Sequence, residues 1–211
     1  MRALPGLLVC LALLACAGGT PVRTQRYDFG AGALPKEPPG RHAGKPLEAT
    51  LRVPRMKAPP WLEAKHLYYE LAYARPPRIA AYAYSEWIGP APRLLGRLLR
   101  RRLADSGTWR SVIVANMDAP ADATLELRLL RLRQVFTSAT TSYAEIRIRA
   151  TLIVVRGAGP ISQKELEERV DAPSPDAAGG VKAFRRAAGK LSEELNHWVA
   201  AEAQRRFGAS G

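Results

Sequence analysis

The sequence is poor in the residues that build disulfide frameworks and metal sites. Its 211 residues include only two cysteines and three histidines, too few for a disulfide scaffold and a poor basis for a zinc site. No apolar run reaches the roughly 18 to 20 residues that a membrane-spanning helix needs. Integral channels, disulfide-rich toxins and zinc modules are therefore disfavoured. The length and the 47% hydrophobic content instead predict one ordinary domain with a sizeable core.

Acidic residues are also scarce relative to basic ones. The chain has 19 Asp and Glu against 32 Lys and Arg, a formal net charge of +13, and 25 of the basic residues are Arg. A cluster at Arg97, Arg100, Arg101 and Arg102 would suit nucleic-acid binding, but the export motif described next argues against such a partner. Two interpretations stay open: a solvated, arginine-biased surface, or attraction to anionic lipid head groups or an acidic partner.

The first twenty residues carry the most specific motif. After Arg2, residues 4–15 form an apolar run with the length of a signal-peptide core, too short to span a bilayer. The run ends in Leu-Leu-Ala-Cys at 13–16, followed by small residues. This order is typical of a bacterial lipobox, in which the signal peptide is cut before the cysteine and the thiol is acylated. An ordinary secretory signal with an incidental cysteine is the alternative.

Cys16 is therefore the predicted lipidation site, and residues 1–15 are the signal peptide that is removed. Several acyl chains anchor a protein almost permanently, since each buried CH₂ contributes about 0.8 kcal/mol. By resemblance to enterobacterial lipoprotein sorting, an aspartate at position 17 would suggest inner-membrane retention, so Ala17 favours the outer membrane. We expect the mature protein at the periplasmic face of the outer membrane. Residues 16–46 are predicted to form a flexible Gly/Pro-rich tether with one short extended island at 26–30.

A single domain is predicted over residues 47–206, where the hydrophobic pattern becomes regular. Two long strands of alternating apolar and polar residues flank a hairpin turn at 137–142. In the first of them the alternation shifts phase after Leu129, which predicts a β-bulge. Shorter extended segments are predicted at 47–53, 66–71, 79–84, 109–115 and 161–170.

Two amphipathic helices are predicted to complete the domain. Leucines recur at helical spacing over residues 92–105, with arginines on the other face. A second apolar stripe follows Asp176, a plausible N-cap, and runs to residue 205. Strands with one apolar face beside two amphipathic helices require a sheet with one face covered by helices.

No constellation of catalytic or metal-ligating residues stands out. Each of the three histidines lacks a second His, Cys or Asp at ligand spacing, and no serine occupies a nucleophile elbow. We therefore expect neither an enzyme nor a cofactor or metal site. The best candidate for contact with a partner is Trp61, in a proline-rich segment, with Leu62 and Trp87 as further candidates.

The order of landmarks resembles the ABC-type transport auxiliary lipoproteins, the PqiC (YmbA) family, over nearly the whole mature chain. The matching pieces after the lipobox are Tyr-Asp-Phe-Gly at 27–30, Pro-Trp-Leu at 60–62, Leu-Tyr-Tyr at 67–69, Tyr-Ala-Tyr-Ser-Glu-Trp at 82–87, Asp-Ala-Ala-Gly-Gly at 176–180 and Trp-Val at 198–199. The resemblance implies an α/β fold of two layers, in which a mixed, mainly antiparallel sheet carries two amphipathic helices on one face.

The resemblance also implies a non-enzymatic accessory subunit of an MCE-type ABC lipid-transport system. Its partners would be a periplasmic MCE-family protein and the inner-membrane permease complex, with a homo-oligomeric ring as one form of assembly. The lipoprotein would dock this conduit at the outer membrane and support lipid trafficking and envelope integrity. The alternative is an outer-membrane assembly lipoprotein resembling the lipopolysaccharide-insertion plug, whose partner would be a β-barrel.

Overall fold

The computed structural model of the chain describes residues 23–30, 46–114, 119–155 and 161–207. Within these ranges it has eight strands, two α-helices and a short 3-10 helix, Pro60–Glu63. The mixed α/β class is confirmed. In chain order the elements are β1 (Gln25–Tyr27), β2 (Leu47–Arg52), β3 (His66–Leu71), β4 (Arg78–Trp87), α1 (Ala91–Asp105), β5 (Trp109–Ile113), β6 (Ala123–Phe136), β7 (Ser142–Val154), β8 (Ser162–Asp171) and α2 (Ala177–Phe207).

The sheet is organised around β6. Along one side this strand pairs with β7 in the antiparallel sense over its whole length. Along the other side its start pairs with β2 and its end with β3, both in the parallel sense. β5 lies beside β2, β4 and then β1 lie beyond β3, and β8 lies outside β7. The sheet is thus mixed, and most of its paired residues belong to the antiparallel pairs β6–β7, β7–β8 and β3–β4.

The predicted β-bulge lies in β6. Between Leu129 and Arg131 the register with β7 shifts by one residue, so that Leu130 is the extra residue. Leu129 and Leu132 are both buried on either side of it. Because side chains alternate between the faces of a strand, this extra residue keeps Leu132 on the same buried face as Leu125, Leu127 and Leu129. The sequence prediction is confirmed.

Both helices cover the same face of the sheet. α2 packs over β7 and β8, and α1 lies against α2 and β5. Each helix buries its apolar stripe, as predicted; that of α2 includes Phe184, Leu191 and Leu195. The N-cap prediction is also confirmed, since Asp176 Oδ1 accepts the N–H of Gly179 at 2.6 Å.

The folded domain includes residues that precede the predicted boundary at residue 47. β1 pairs with the end of β4, where Tyr27 lies opposite Trp87. The buried ring of Phe29 stacks on Trp87 with the ring centroids 4.6 Å apart. The tether predicted over residues 16–46 is therefore interrupted by a segment that is part of the sheet and core. Cys16 and residues 31–45 lie outside the described residues.

Candidate functional site

The sheet face opposite the helices carries a ladder of ion pairs. At its centre is Glu145 of β7, a buried carboxylate. Arg133 Nε lies 2.8 Å from Glu145 Oε2, and Arg169 Nη2 lies 3.1 Å from Oε1. Arg133 also pairs with Glu70 of β3. Because a buried charge is costly unless it is paired, these cross-strand arginines have a structural role.

The same face continues with a second group of paired arginines. Arg147 and Arg149 of β7 each place a guanidinium nitrogen 2.7 Å from an oxygen of Glu165 on β8. The hydrogen bond from Arg149 is the main cause that holds the pKa of Glu165 below its ordinary value. The interpretation of the arginine excess as a solvated, arginine-biased surface therefore fits this face.

The arginines on α1 have a different environment. Arg93, Arg97 and Arg100 follow one another at helical spacing on the face opposite the buried leucines. Arg55, from the segment after β2, lines cavities together with Arg93 and Arg100. Within the described ranges, none of these four guanidinium groups forms an ion pair with a carboxylate. We call Arg55, Arg93, Arg97 and Arg100 the arginine surface.

Like charges are crowded on the arginine surface. Burial is the main cause that lowers the pKa of Arg100 from its ordinary value, and the positive charges of Arg97 and Arg55 lower it further. An arginine side chain nevertheless stays protonated in proteins. The mutual repulsion of these charges would be relieved by a bound anion, so the surface favours a negatively charged ligand.

Open cavities with apolar walls lie along the arginine surface. One of about 640 Å³ is lined by Arg97 and Arg100 and also by Ile88 and Val114. A second of about 400 Å³ is lined by Arg55 and again by Ile88. The side chains of Ile88 and Val114 are exposed. Positive charge and accessible hydrocarbon at one place favour a ligand that is both anionic and amphiphilic.

Trp61 lies next to this surface. It belongs to the 3-10 helix Pro60–Glu63, which packs against α1. The indole is 44% exposed, and one edge of it contacts the ring of Tyr68, with the centroids 5.3 Å apart. The Tyr68 hydroxyl donates a hydrogen bond to the Trp61 backbone oxygen at 3.0 Å. Trp61 is thus an exposed aromatic on a fixed support, and its role in partner binding stays a prediction.

Leu62 and Trp87, predicted together with Trp61 to contact a partner, are core residues. Leu62 is 2% exposed and Trp87 is 0% exposed. The 3-10 helix turns Leu62 inward beside the outward-facing Trp61. Trp87 is enclosed by Phe29 on one ring face and by Phe184 of α2, whose ring centroid is 5.6 Å away. A partner cannot reach either side chain, so the prediction is corrected for both residues.

The arginine surface has a partial signal in the sequence. No acidic residue stands between Glu86 and Asp105, so α1 has no counter-charge before its last residue. Of the arginines that form a cluster in the sequence, Arg101 pairs with Asp105 at 3.7 Å. Arg55 could not be assigned to this surface from sequence, because it is distant in the chain and only the fold brings it to α1.

Neither α-helix in the described ranges combines the length and hydropathy that crossing a bilayer requires. In the same ranges no three His, Cys, Asp or Glu side chains are grouped as a metal ion would require. Cys16 lies outside these ranges, so lipidation at this position stays a prediction.

Comparison with known proteins agrees with the architecture described above. The family model described as the ABC-type transport auxiliary lipoprotein component matches residues 33–196. A structure from Xanthomonas campestris, of the DUF330 family model, has a TM-score of 0.66 and 18% sequence identity, covering 87% of this chain and 94% of that chain. A second solved structure, of an uncharacterized protein, has a TM-score of 0.62 and 14% identity, covering 84% of this chain and 99% of that chain. At these identities the two structures show a common fold. No match is found among curated proteins.

Proposed function

The chain belongs to the ABC-type transport auxiliary lipoprotein family, and we propose that it docks an MCE-type lipid-transport conduit at the outer membrane. In this proposal the protein is a non-enzymatic subunit held at the periplasmic face by acylated Cys16. It acts with a periplasmic MCE-family protein and the inner-membrane permease complex. Its contribution is to complete the route for lipids at the outer membrane and so to support envelope integrity.

The observation that carries this proposal is the family match, which extends over most of the folded domain. An auxiliary component acts through another complex, so a surface that binds a partner is required. The MCE identity of that partner is supported by the resemblance of the sequence landmarks to the PqiC family. The same match favours the transport role over the lipopolysaccharide-insertion plug alternative.

Trp61 is the residue we propose for docking. Its exposed indole provides a large apolar area of the kind that dominates binding energy at protein interfaces. Its support is already ordered, because Pro60 begins the 3-10 helix and Tyr68 holds the Trp61 backbone. A preorganised anchor loses less conformational entropy on binding than a flexible one does.

Site-specific crosslinking in intact cells tests the proposal. A photoreactive side chain at Glu63, which is exposed beside Trp61, should form an adduct with the MCE-family protein. Trp61→Ala should weaken that adduct strongly and leave the fold intact, since the indole loses only a partial contact with Tyr68. Tyr73→Ala is the matched control, because it removes another exposed aromatic from the turn between β3 and β4.

The outcomes separate the candidate functions. Adduct formation that depends on Trp61 and not on Tyr73 supports docking through the 3-10 helix. An unchanged adduct in a normally folded Trp61→Ala protein removes Trp61 from the interface. An adduct with an outer-membrane barrel protein in place of an MCE protein would overturn the transport proposal and support the plug alternative.

A further inference from the structure

We propose that the arginine surface binds the phosphate groups of anionic lipid head groups, so that the α1 side of the domain lies on the membrane that anchors it. The geometry of this inference rests on the proposed lipid anchor at Cys16. It does not depend on the MCE partner. Three observations support the proposal: the unpaired charges, the apolar side chains beside them and the position at which the anchored chain enters the fold.

The charges of the arginine surface are available to a ligand. On the open sheet face, Arg133, Arg147 and Arg149 pair with carboxylates of neighbouring strands. By contrast, within the described residues Arg55, Arg93, Arg97 and Arg100 have no carboxylate partner. Guanidinium groups bind phosphate well, because their planar donors match its oxygens. Unpaired arginines near an anionic membrane each contribute about 1 kcal/mol of attraction.

The apolar side chains distinguish a bilayer from an acidic protein as the occupant. Ile88 and Val114 are exposed and line the same cavity as Arg97 and Arg100. A bilayer presents hydrocarbon directly beneath its phosphates, so a basic surface with exposed aliphatic side chains matches both layers. An acidic protein patch would satisfy only the charges.

The entry point of the chain brings this surface close to the membrane. Gln25, the first residue of β1, is the ninth residue after Cys16. Even a fully extended chain of this length spans only about 30 Å. β1 ends beside the arginine surface, because the N–H of Ile88 donates to the Tyr27 backbone oxygen at 2.8 Å. The anchor therefore holds the surface within a short distance of the lipid head groups.

Vesicle binding by the mature chain, residues 16–211, tests the inference. Cys16→Ser is included so that acyl chains do not dominate the affinity. The probe is vesicles of phosphatidylethanolamine and phosphatidylglycerol, compared with vesicles in which neutral phosphatidylcholine replaces the phosphatidylglycerol. Binding should require phosphatidylglycerol and weaken as salt is added, since salt screens charge attraction.

A matched pair of variants locates the binding. Arg97→Gln with Arg100→Gln should weaken binding about 25-fold, if each arginine contributes about 1 kcal/mol. Arg75→Gln with Arg78→Gln removes the same charge at the opposite end of β4 and should have a much smaller effect. Melting temperatures should not fall in either variant, because neither pair of arginines forms an ion pair within the described residues, and loss of the Arg97 and Arg100 charges relieves repulsion on the arginine surface.

Several results would overturn the inference. If both variants weaken vesicle binding equally, the binding responds to the net charge of the protein and does not use a defined surface. Binding that is indifferent to phosphatidylglycerol would exclude anionic lipid as the ligand. A different result would assign the surface to a protein partner. In that case the Arg97→Gln, Arg100→Gln variant binds vesicles normally but no longer crosslinks to an acidic protein in cells. Because no partner is present in the vesicle assay, its result is independent of MCE docking at Trp61.

Discussion

Gly180 of α2 lies so close to Gln134 of β6 that a Cβ on Gly180 would be 2.1 Å from Gln134 Oε1. Gln134 is fully buried beneath the helix. Its Oε1 accepts a hydrogen bond from the Tyr82 hydroxyl at 3.0 Å, and its Nε2 donates one to Ser142 Oγ at 2.8 Å. Burial raises the pKa of Tyr82, so its hydroxyl remains a donor. At this contact between α2 and the sheet, only a glycine at position 180 leaves room for the Gln134 amide, which its two hydrogen bonds hold in place.

Gly180→Ala should destabilise the protein, although alanine favours a helix over glycine by roughly 1 kcal/mol. The added methyl would collide with an amide held by two hydrogen bonds, and overpacking of this kind costs typically about 1 to 3 kcal/mol. Urea unfolding measures the loss. In a Gln134→Ala background the same substitution should lose most of its penalty. If Gly180→Ala destabilises the Gln134→Ala protein as much as it destabilises the parent, the collision with Gln134 is not the cause of the destabilisation.

The cap of α2 should make stability depend on pH. Hydrogen bonds from the Gly179 N–H and the Ser174 hydroxyl lower the pKa of Asp176 below its ordinary 3.8. Because the pKa is lower in the folded state, the ionised cap stabilises the protein above the unfolded pKa, and this stability is lost as the pH falls through the folded pKa.

Asp176→Asn retains a capping side chain that does not titrate and is the matched control for this pH dependence. The difference in unfolding free energy between parent and Asp176→Asn should shrink as the pH falls below about 4. Asp176→Ala should cost about 0.5 to 2 kcal/mol at neutral pH. If the difference in unfolding free energy between the parent and Asp176→Asn stays constant across the acidic range, the charge of Asp176 does not stabilise the cap.

Leu195 tests the packing of α2 on the sheet. Its side chain is completely buried, so Leu195→Ala should reduce the unfolding free energy by about 2 to 5 kcal/mol. Leu195→Glu should prevent folding, since it would bury an unpaired charge. Glu193→Ala, on the exposed side of the same helix, is the control and should change stability little. Leu195→Glu protein that melts like the parent would refute the packing.

Cys16 tests the anchor. Cys16→Ser should abolish labelling by fatty-acid analogues and leave the protein unprocessed or soluble. Cys10→Ser, a change within the predicted signal peptide, should leave the labelling intact. Normal labelling of the Cys16→Ser variant would exclude the lipobox.

Sequence patterns predicted the elements that obey a local rule. The alternation along β6 and β7 and the apolar stripes of the two helices follow from burial of one face, which imposes a period on the residues themselves. β1 has only three residues and cannot show such a period. The burial of Phe29 depends on Trp87 and Phe184, which are distant in the chain, so the sequence pattern predicts only a tether there.

Some features of the candidate site are likewise visible in the sequence, whereas others are set only by the tertiary structure. The excess of arginine, the predicted lipobox and the acid-free stretch that holds α1 are properties of the sequence alone. Which arginines are neutralised was decided by strand register, which brings Arg133, Glu145 and Arg169 together from three strands. Likewise, the direction of each side chain relative to the core exposes Trp61 and buries Leu62. Burial on one face leaves a periodic trace in the chain, whereas an ion pair between distant residues depends on a distance that only the tertiary structure sets.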